Sequence, residues 1–296
     1  MTKILCAGLI AADLVFEMSS FPLEGDKHRA EASHLIGGGG AFIAASAITA
    51  LGGDVSLVGA IGQDVFGELM RSKITDRGID DALVFSLPQV PTSRSSIFLS
   101  SNGERTIINH RDADLQRVDF LPPDPFRFDA VLVDTRWPDG AASLVQAARK
   151  AGKPAVVDAE APVKIATQAL RHASHVVFSE QGLQDFVGSS DLHALQTAVS
   201  ETGAWCAVTR GPLPVLCWDG QLMSEVPAPS VEVRNTLGAG DAWHGAFTLA
   251  LGRGQQELDA VRWANAAAAH KVRFSIESET FAERVDVEAL MRQISE

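Results

Sequence analysis

Apolar positions in this chain gather into short unbroken runs at residues 4–10, 55–61, 130–134, 155–158, 175–179 and 205–209. A strand covered on both faces of a parallel sheet has no polar side, and runs of this length are its signature. Between them, apolar residues recur at helical spacing near 41–51, 66–77, 140–151, 163–173 and 192–202, and later over 242–251 and 257–272. The alternation predicts an α/β fold: a doubly wound, mostly parallel sheet flanked by helices. Two stretches break the rhythm. Residues 14–18, 29–35, 95–99 and 105–109 read as strands with no helix between them, the last two joined by a turn at Asn102-Gly103. They predict a small antiparallel β lid, drawn from about 14–35 and 83–111, over the strand ends where α/β proteins bind ligands. Such a sheet serves as a lid or a dimerisation surface; the plain alternative is a surface insertion. All of it fits one domain over residues 1–296.

Composition narrows the classes. At 46% hydrophobic and 21% charged the chain can bury a large core. Its formal charge of −12, with no basic run, argues against nucleic acid or an anionic membrane as partner, so an anionic ligand must be met by local donors. Cys6, Cys206 and Cys217 form no C-x-x-C pair and lie in or near apolar runs, which fits buried free thiols in a reducing compartment. The N-terminus enters a strand pattern without a signal-peptide layout, and no apolar run spans a bilayer, so the expected location is cytoplasmic.

The chemistry concentrates at glycines. Asn235-Thr236-Leu237-Gly238-Ala239-Gly240-Asp241 leads directly into the apolar segment 242–251. Gly238 and Gly240 allow a tight turn into a helix start, where unpaired N–H groups and the helix dipole favour an anion. Asp241 then stands in the first turn, positioned to accept a proton from a hydroxyl that attacks a phosphoryl group. An ordinary first-turn acid is the plain alternative. A second cluster, Gly37-Gly38-Gly39-Gly40, precedes the helix near 41–51, and either a ligand packed against bare backbone or a hinge accounts for it. No P-loop motif is present, and Gly8 stands alone after the first strand, which removes the dinucleotide-dependent oxidoreductase reading. A non-catalytic sugar-binding protein would keep the glycine cradle and lose the base, and Asp241 is present.

These glycine clusters, with Gly59-Ala60-Ile61-Gly62-Gln63-Asp64-Val65-Phe66-Gly67 and the late Asn-Thr-Leu-Gly-Ala-Gly-Asp, resemble the ribokinase-like (PfkB) carbohydrate kinases over residues 3–274. The resemblance implies ATP-dependent transfer of the γ-phosphoryl group to a sugar hydroxyl, with Mg²⁺. It implies Asp241 as base, the amides of residues 237–240 (Leu237, Gly238, Ala239 and Gly240) as anion hole, and Thr209 and Gly211 beside the nucleotide. Asp13, just past the first strand, is where the family binds sugar hydroxyls, although a turn-forming Asp is its local alternative. Gly38 and Gly39 border the sugar. Within the family, the chain is similar to ketohexokinases at Ser101-Asn102-Gly103-Glu104-Arg105-Thr106-Ile107. It is more similar to bacterial sulfofructose kinases, at Gly25 to Lys27, Gly103-Glu104-Arg105, Asn109, Asp134-Thr135-Arg136-Trp137 and Phe178-Ser179-Glu180. That implies 6-deoxy-6-sulfofructose as leading substrate, its sulfonate met by Lys27, Asn109 and Arg136, with a ketohexokinase, fructokinase or nucleoside kinase as the alternative. A homodimer through the lid is also implied.

Four positions depart from the family pattern. Ile43 stands where an Asn usually grips sugar hydroxyls, and Asn235 replaces the Asp that opens the late motif, which weakens any monovalent-cation site. Ser179-Glu180-Gln181-Gly182 replaces a metal-organising Asn-x-x-Glu, leaving Glu180, or Asp158 and Glu160 after their strand, to face the metal. Arg273 to Glu277 replace a glycine-rich stretch, so Asn265 and Ala268 become the nearest adenine candidates. His110, Arg111 and His244 are weaker substrate candidates.

Overall fold

The computed structural model describes residues 1–100, 104–118, 120, 122 and 126–295; the turn expected at Asn102-Gly103 lies outside the described residues. Its main sheet contains β1 (Lys3–Ala7), β4 (Asp54–Gly62), β5 (Asp80–Leu87), β8 (Ala130–Asp134), β9 (Ala155–Ala159), β10 (His175–Ser179), β11 (Trp205–Arg210), β12 (Leu213–Trp218) and β13 (Met223–Val226). The order is β13-β12-β11-β10-β9-β8-β1-β4-β5, parallel from β5 to β11, with β12 and β13 added antiparallel at one edge. The chain winds outward from β1 through β4 and β5, then the other way from β8, so the order reverses between β1 and β8. A crevice opens at such a reversal, outside the carboxyl ends of the strands.

Alternate residues of each central strand feed two cores. Ile4, Cys6 and Leu132 point to the face covered by α1 (Gly40–Ala50), α2 (Val65–Asp76), α7 (Ala239–Gly252), α8 (Glu257–Lys271) and α9 (Arg284–Ser295). Leu5, Val131 and Val133 point to α3 (Pro138–Lys150), α4 (Thr167–His172), α5 (Glu180–Val187) and α6 (Leu192–Thr202). All three cysteines are buried and unpaired, and burial pushes the Cys206 and Cys217 thiols up to about 12. Among the described residues no helix is long and apolar enough to cross a membrane.

The second sheet has four strands, β2 (Ala11–Met18), β3 (Ala32–Gly38), β6 (Ser93–Ser100) and β7 (Arg105–His110), in the order β3-β2-β6-β7. Its two outer pairs are antiparallel, and the pair that joins the two chain segments, β2 with β6, is parallel. One boundary needs correction. The segment expected from residue 83 begins at Ser93, because residues 80–87 form β5 on the main sheet beside β4. An edge strand with alternately exposed residues reads like a strand of a half-solvated sheet, which is why sequence pattern misassigned it.

Helices α1 and α7 cross backbone to backbone. A Cβ on Gly245 would lie 2.5 Å from the Ala44 carbonyl oxygen. Small residues on both helices permit this approach, and it holds the two helix N-termini side by side at the crevice.

Candidate active site

Three carboxylates meet around Gly40 at the start of α1. A Cβ there would stand 3.0 Å from Asp241 Oδ1, 3.6 Å from Asp134 Oδ2 and 3.9 Å from Asp158 Oδ2. Asp134 and Asp158 end the buried strand runs of β8 and β9, and Asp241 lies in the first turn of α7. Asp134 is fixed by two backbone donors, Leu9 N–H at 2.7 Å and Arg136 N–H at 2.8 Å. Gly8, at φ 146°, admits this carboxylate because a Cβ there would come within 2.2 Å of it.

Such crowding of acids has an electrostatic cost. Burial first, then the neighbouring Asp158, pushes the Asp241 carboxyl up to about 7, against the pull of His244. Burial and the charge of Glu160 hold Asp158 well above the carboxylate range. His244, one turn along α7, donates from Nδ1 to Gly240 O at 2.7 Å, so its Nε2 faces Asp158 Oδ1 at 3.4 Å without a hydrogen bond. Burial lowers its pKa. A proton acceptor tuned near neutrality beside unneutralised oxygens suits proton abstraction and binding of a hard cation.

The glycine turn forms the expected cradle with fewer donors. Asn235 Oδ1 accepts from Leu237 N–H at 2.9 Å, and Ala239 N–H points to Thr236 O at 3.3 Å. Leu237 and Ala239 therefore leave the anion hole. The amides of Gly238, Gly240 and Asp241 have no acceptor among the described residues. Gly238 adopts φ 70°, the left-handed conformation that starts the helix.

Asp13 on β2 is 7% exposed, and Gly38 must lack a side chain because a Cβ would meet Asp13 Oδ2 at 2.0 Å. Gly39, at φ 89°, turns the chain against Leu9 O into α1. Register aligns Asp13 with Ser95 and Ser95 with Asn109, so Asn109 lies in the same row of the small sheet's inner face. Lys27 sits exposed in the segment between β2 and β3. Arg136 instead shares an open pocket with Arg111, between Gly8, Gly59, Ser93 and Trp137. Neither guanidinium donates a hydrogen bond to any described residue.

Other expected residues divide. Thr209 and Gly211 lie at the carboxyl end of β11, three strands from β8 or about 14 Å at ordinary strand spacing, on the same edge as the carboxylates. Asn265 is withdrawn as an adenine contact: it is 3% exposed, accepting from Trp243 Nε1 and donating to Val226 O and Pro227 O. Ala268 packs partly buried against the core. Glu180 occupies the exposed first turn of α5, away from the carboxylate group, where Asp158 and Glu160 stand. Sequence reading gave Asp134 no role in the reaction centre and did not single out Lys271; a polar residue closing an apolar strand run was the available signal for Asp134.

Comparison with known proteins agrees with this geometry. Residues 1–275 match the pfkB family carbohydrate kinases. Mouse ketohexokinase is 25% identical over 91% of this chain and 95% of its own, and the ribokinase of Lactococcus lactis is 25% identical over 90% of both. The crystal structure of a putative ribokinase from Agrobacterium tumefaciens superposes with a TM-score of 0.94 at 32% identity, covering 99% of this chain and 98% of that one. Arabidopsis ribokinase, complexed with ribose and ATP, shares the fold at a TM-score of 0.81 and 22% identity, over 98% of each chain. With a family match over residues 1–275, the chain belongs to the pfkB family of carbohydrate kinases.

Proposed function

We propose that the protein transfers the γ-phosphoryl group of ATP to a hydroxyl of a ketose-type sugar bearing a terminal anion, with 6-deoxy-6-sulfofructose as leading substrate. The observation that carries the anion is the pair Arg111 and Arg136 on one cavity. Burial and the like charge of Arg136 lower the pKa of Arg111, outweighing Asp134 and Asp13, so a bound anion would relieve both guanidiniums. Sugar and ATP as substrates draw support from the ketohexokinase and ribokinase relatives. Those relatives also favour a second reading, a neutral sugar.

In this reading Asp13 and the row through Asn109 hold sugar hydroxyls, and Asp241 takes the proton of the attacking hydroxyl. The free amides of Gly238 and Gly240 receive the charge on the transferred group. The nucleotide runs along the strand ends toward Thr209 and Gly211. Asp158 and Glu160 offer the oxygen donors that fit Mg²⁺, which when bound supplies charge neutralisation for the polyphosphate. Residues 1–296 act as one kinase domain with the four-stranded sheet as lid. That lid also forms a homodimer face, through the apolar outer residues Leu35 and Ile108 and the stacked Phe16 and Phe98. The enzyme works in the cytoplasm.

The test is ADP release across sulfofructose, fructose, fructose phosphates, ketodeoxygluconate and nucleosides. Losing one charged contact in a desolvated site costs about 2–5 kcal/mol, so Arg136→Ala lowers kcat/KM for sulfofructose by roughly 30-fold or more and leaves fructose nearly unchanged. A wild-type preference for neutral sugars, or equal losses on both, moves the assignment to the second reading.

A further inference from the structure

Beside the glycine turn lies a second cavity, lined by Ile43, Asn235, Leu237, Lys271, Glu279 and Phe281 among others. Lys271 is the last residue of α8, and that helix end is tied to the cradle: Val272 O accepts from Arg234 N–H at 2.7 Å and Asn235 N–H at 3.2 Å. A side chain at Gly238 would come within 3.1 Å of Ile43 and 3.3 Å of Lys271 Cε, so the lysine stem packs beside the turn at this glycine. The ammonium stands 4.2 Å from the centre of the Phe281 ring and makes none of the ion pairs found among the described residues.

The surrounding charges are unbalanced. Glu279 is the acid of this cavity, and it is already bound by Lys73 and by Arg77 at 3.1 Å. Lys73, Arg77 and Lys271 therefore face two acids, Glu279 in the cavity and Asp241 across the turn, in a protein of formal charge −12. Burial first, then the like charge of Arg77, lowers the Lys271 pKa to about 8, while Asp241 and Glu279 oppose the shift. Asn235, the cavity's amide, is engaged with Leu237 N–H. What the cluster lacks is an anion, and the nearest place for one is the front of the cradle.

We infer that Lys271 is a positioning cation of the phosphoryl-transfer site, its stem packed beside Gly238 so that its charge acts through the turn on the anion bound in front. No inorganic cation is needed there, and Arg77 and Lys73 would repel one. This rests on the kinase reading proposed above. It predicts a covalently tethered charge whose loss impairs turnover more than substrate binding.

The experiment uses the full-length enzyme with its best sugar. Wild-type turnover is expected to agree within twofold in potassium, sodium and tetramethylammonium chloride at equal ionic strength. Lys271→Met is expected to lower kcat roughly 10- to 100-fold with KM for the sugar within a few-fold, Lys271→Arg to retain more activity, and methylammonium chloride to restore part of the loss in Lys271→Met alone. A merely structural lysine would give no rescue by a small amine. A several-fold dependence of wild-type turnover on potassium overturns the inference without any variant, as does a Lys271→Met enzyme with unchanged kcat, or one that is folded, slow and insensitive to methylammonium. Absence of phosphoryl transfer from ATP to any sugar by the wild type defeats the kinase reading instead.

Discussion

The two sheets of this protein are built from the same kinds of residue and differ in what covers them. The main sheet is buried on both faces between helices, and its strand ends carry Asp134 and Asp158 in fixed positions. The four-stranded sheet rests on Val15, Ile36, Ile97 and Ile276, with Leu99 and Leu237 packed against them, and leaves its outer face open. Local stability follows burial, so the first sheet is a rigid platform and the second opens at lower free energy. In the proposed kinase, Asp241 and the glycine turn come from the platform, and Asp13 and Asn109 from the less covered sheet.

The largest expected effect lies on the platform. Asp241→Asn should lower kcat by roughly 10²–10⁴ and leave ATP affinity within a few-fold. The same change removes one of the crowded charges and should raise the melting temperature of the ligand-free protein. Near-normal turnover in this variant would remove Asp241 from the base role.

Core truncation separates the sheets directly. Leu57→Ala in β4, at a fully buried position, should cost about 2–5 kcal/mol in global unfolding. Ile97→Ala in the small sheet should cost less globally and instead speed amide exchange over residues 11–18 and 93–110. Equal global losses with no local exchange would show the two sheets to be one cooperative unit.

A smaller effect is set by pH, and it runs in opposite directions for activity and stability. With its carboxyl raised from 3.8 to about 7, Asp241 is protonated below that value, so kcat/KM should fall about tenfold per unit as pH drops below 7. The folded state then holds a proton the unfolded chain has released, so Asp241's contribution to ligand-free stability should be fully present below about pH 4 and decline as pH rises to 7. A flat rate profile from pH 5 to 8 would contradict the assignment.

The smallest effect concerns the contact between the parts. Arg105 of β7 donates to Thr236 Oγ1 at 2.9 Å, joining the small sheet to the cradle turn. An exposed hydrogen bond contributes about 0.5–1.5 kcal/mol, so Arg105→Ala should reduce kcat only a few-fold while raising exchange in β6 and β7. Sugar with a non-hydrolysable nucleotide should protect those strands in the wild type and less in the variant.

Sequence pattern read the centre of the main sheet better than its two flanks, for a physical reason. Doubly buried strands leave unmistakable apolar runs, and β8, β10 and β11 fall where those runs are. The flanking strands do not: β5 and β13 are half-exposed edges, β12 is a short antiparallel strand beside one of them, and all three were merged with their surroundings or missed. The cradle was legible because Gly238 and Asp241 are adjacent in sequence. The pairing of Arg111 with Arg136, and of Lys271 with Gly238, depends on segments brought together by the fold, and no local spacing announces it. Asn265 misled because a polar residue on a helix beside a site reads as a ligand contact until its hydrogen bonds to Trp243, Val226 and Pro227 are known.

The bond from Arg105 to Thr236 also bears on timing. Its partners are 131 residues apart in sequence, and it makes the finished shape of the cradle conditional on the position of the small sheet. With the small sheet displaced, the turn would lose this contact and keep only its tie to the end of α8. In the kinase proposed above, the completed cradle would then wait on the closure that also brings the acceptor hydroxyl into place.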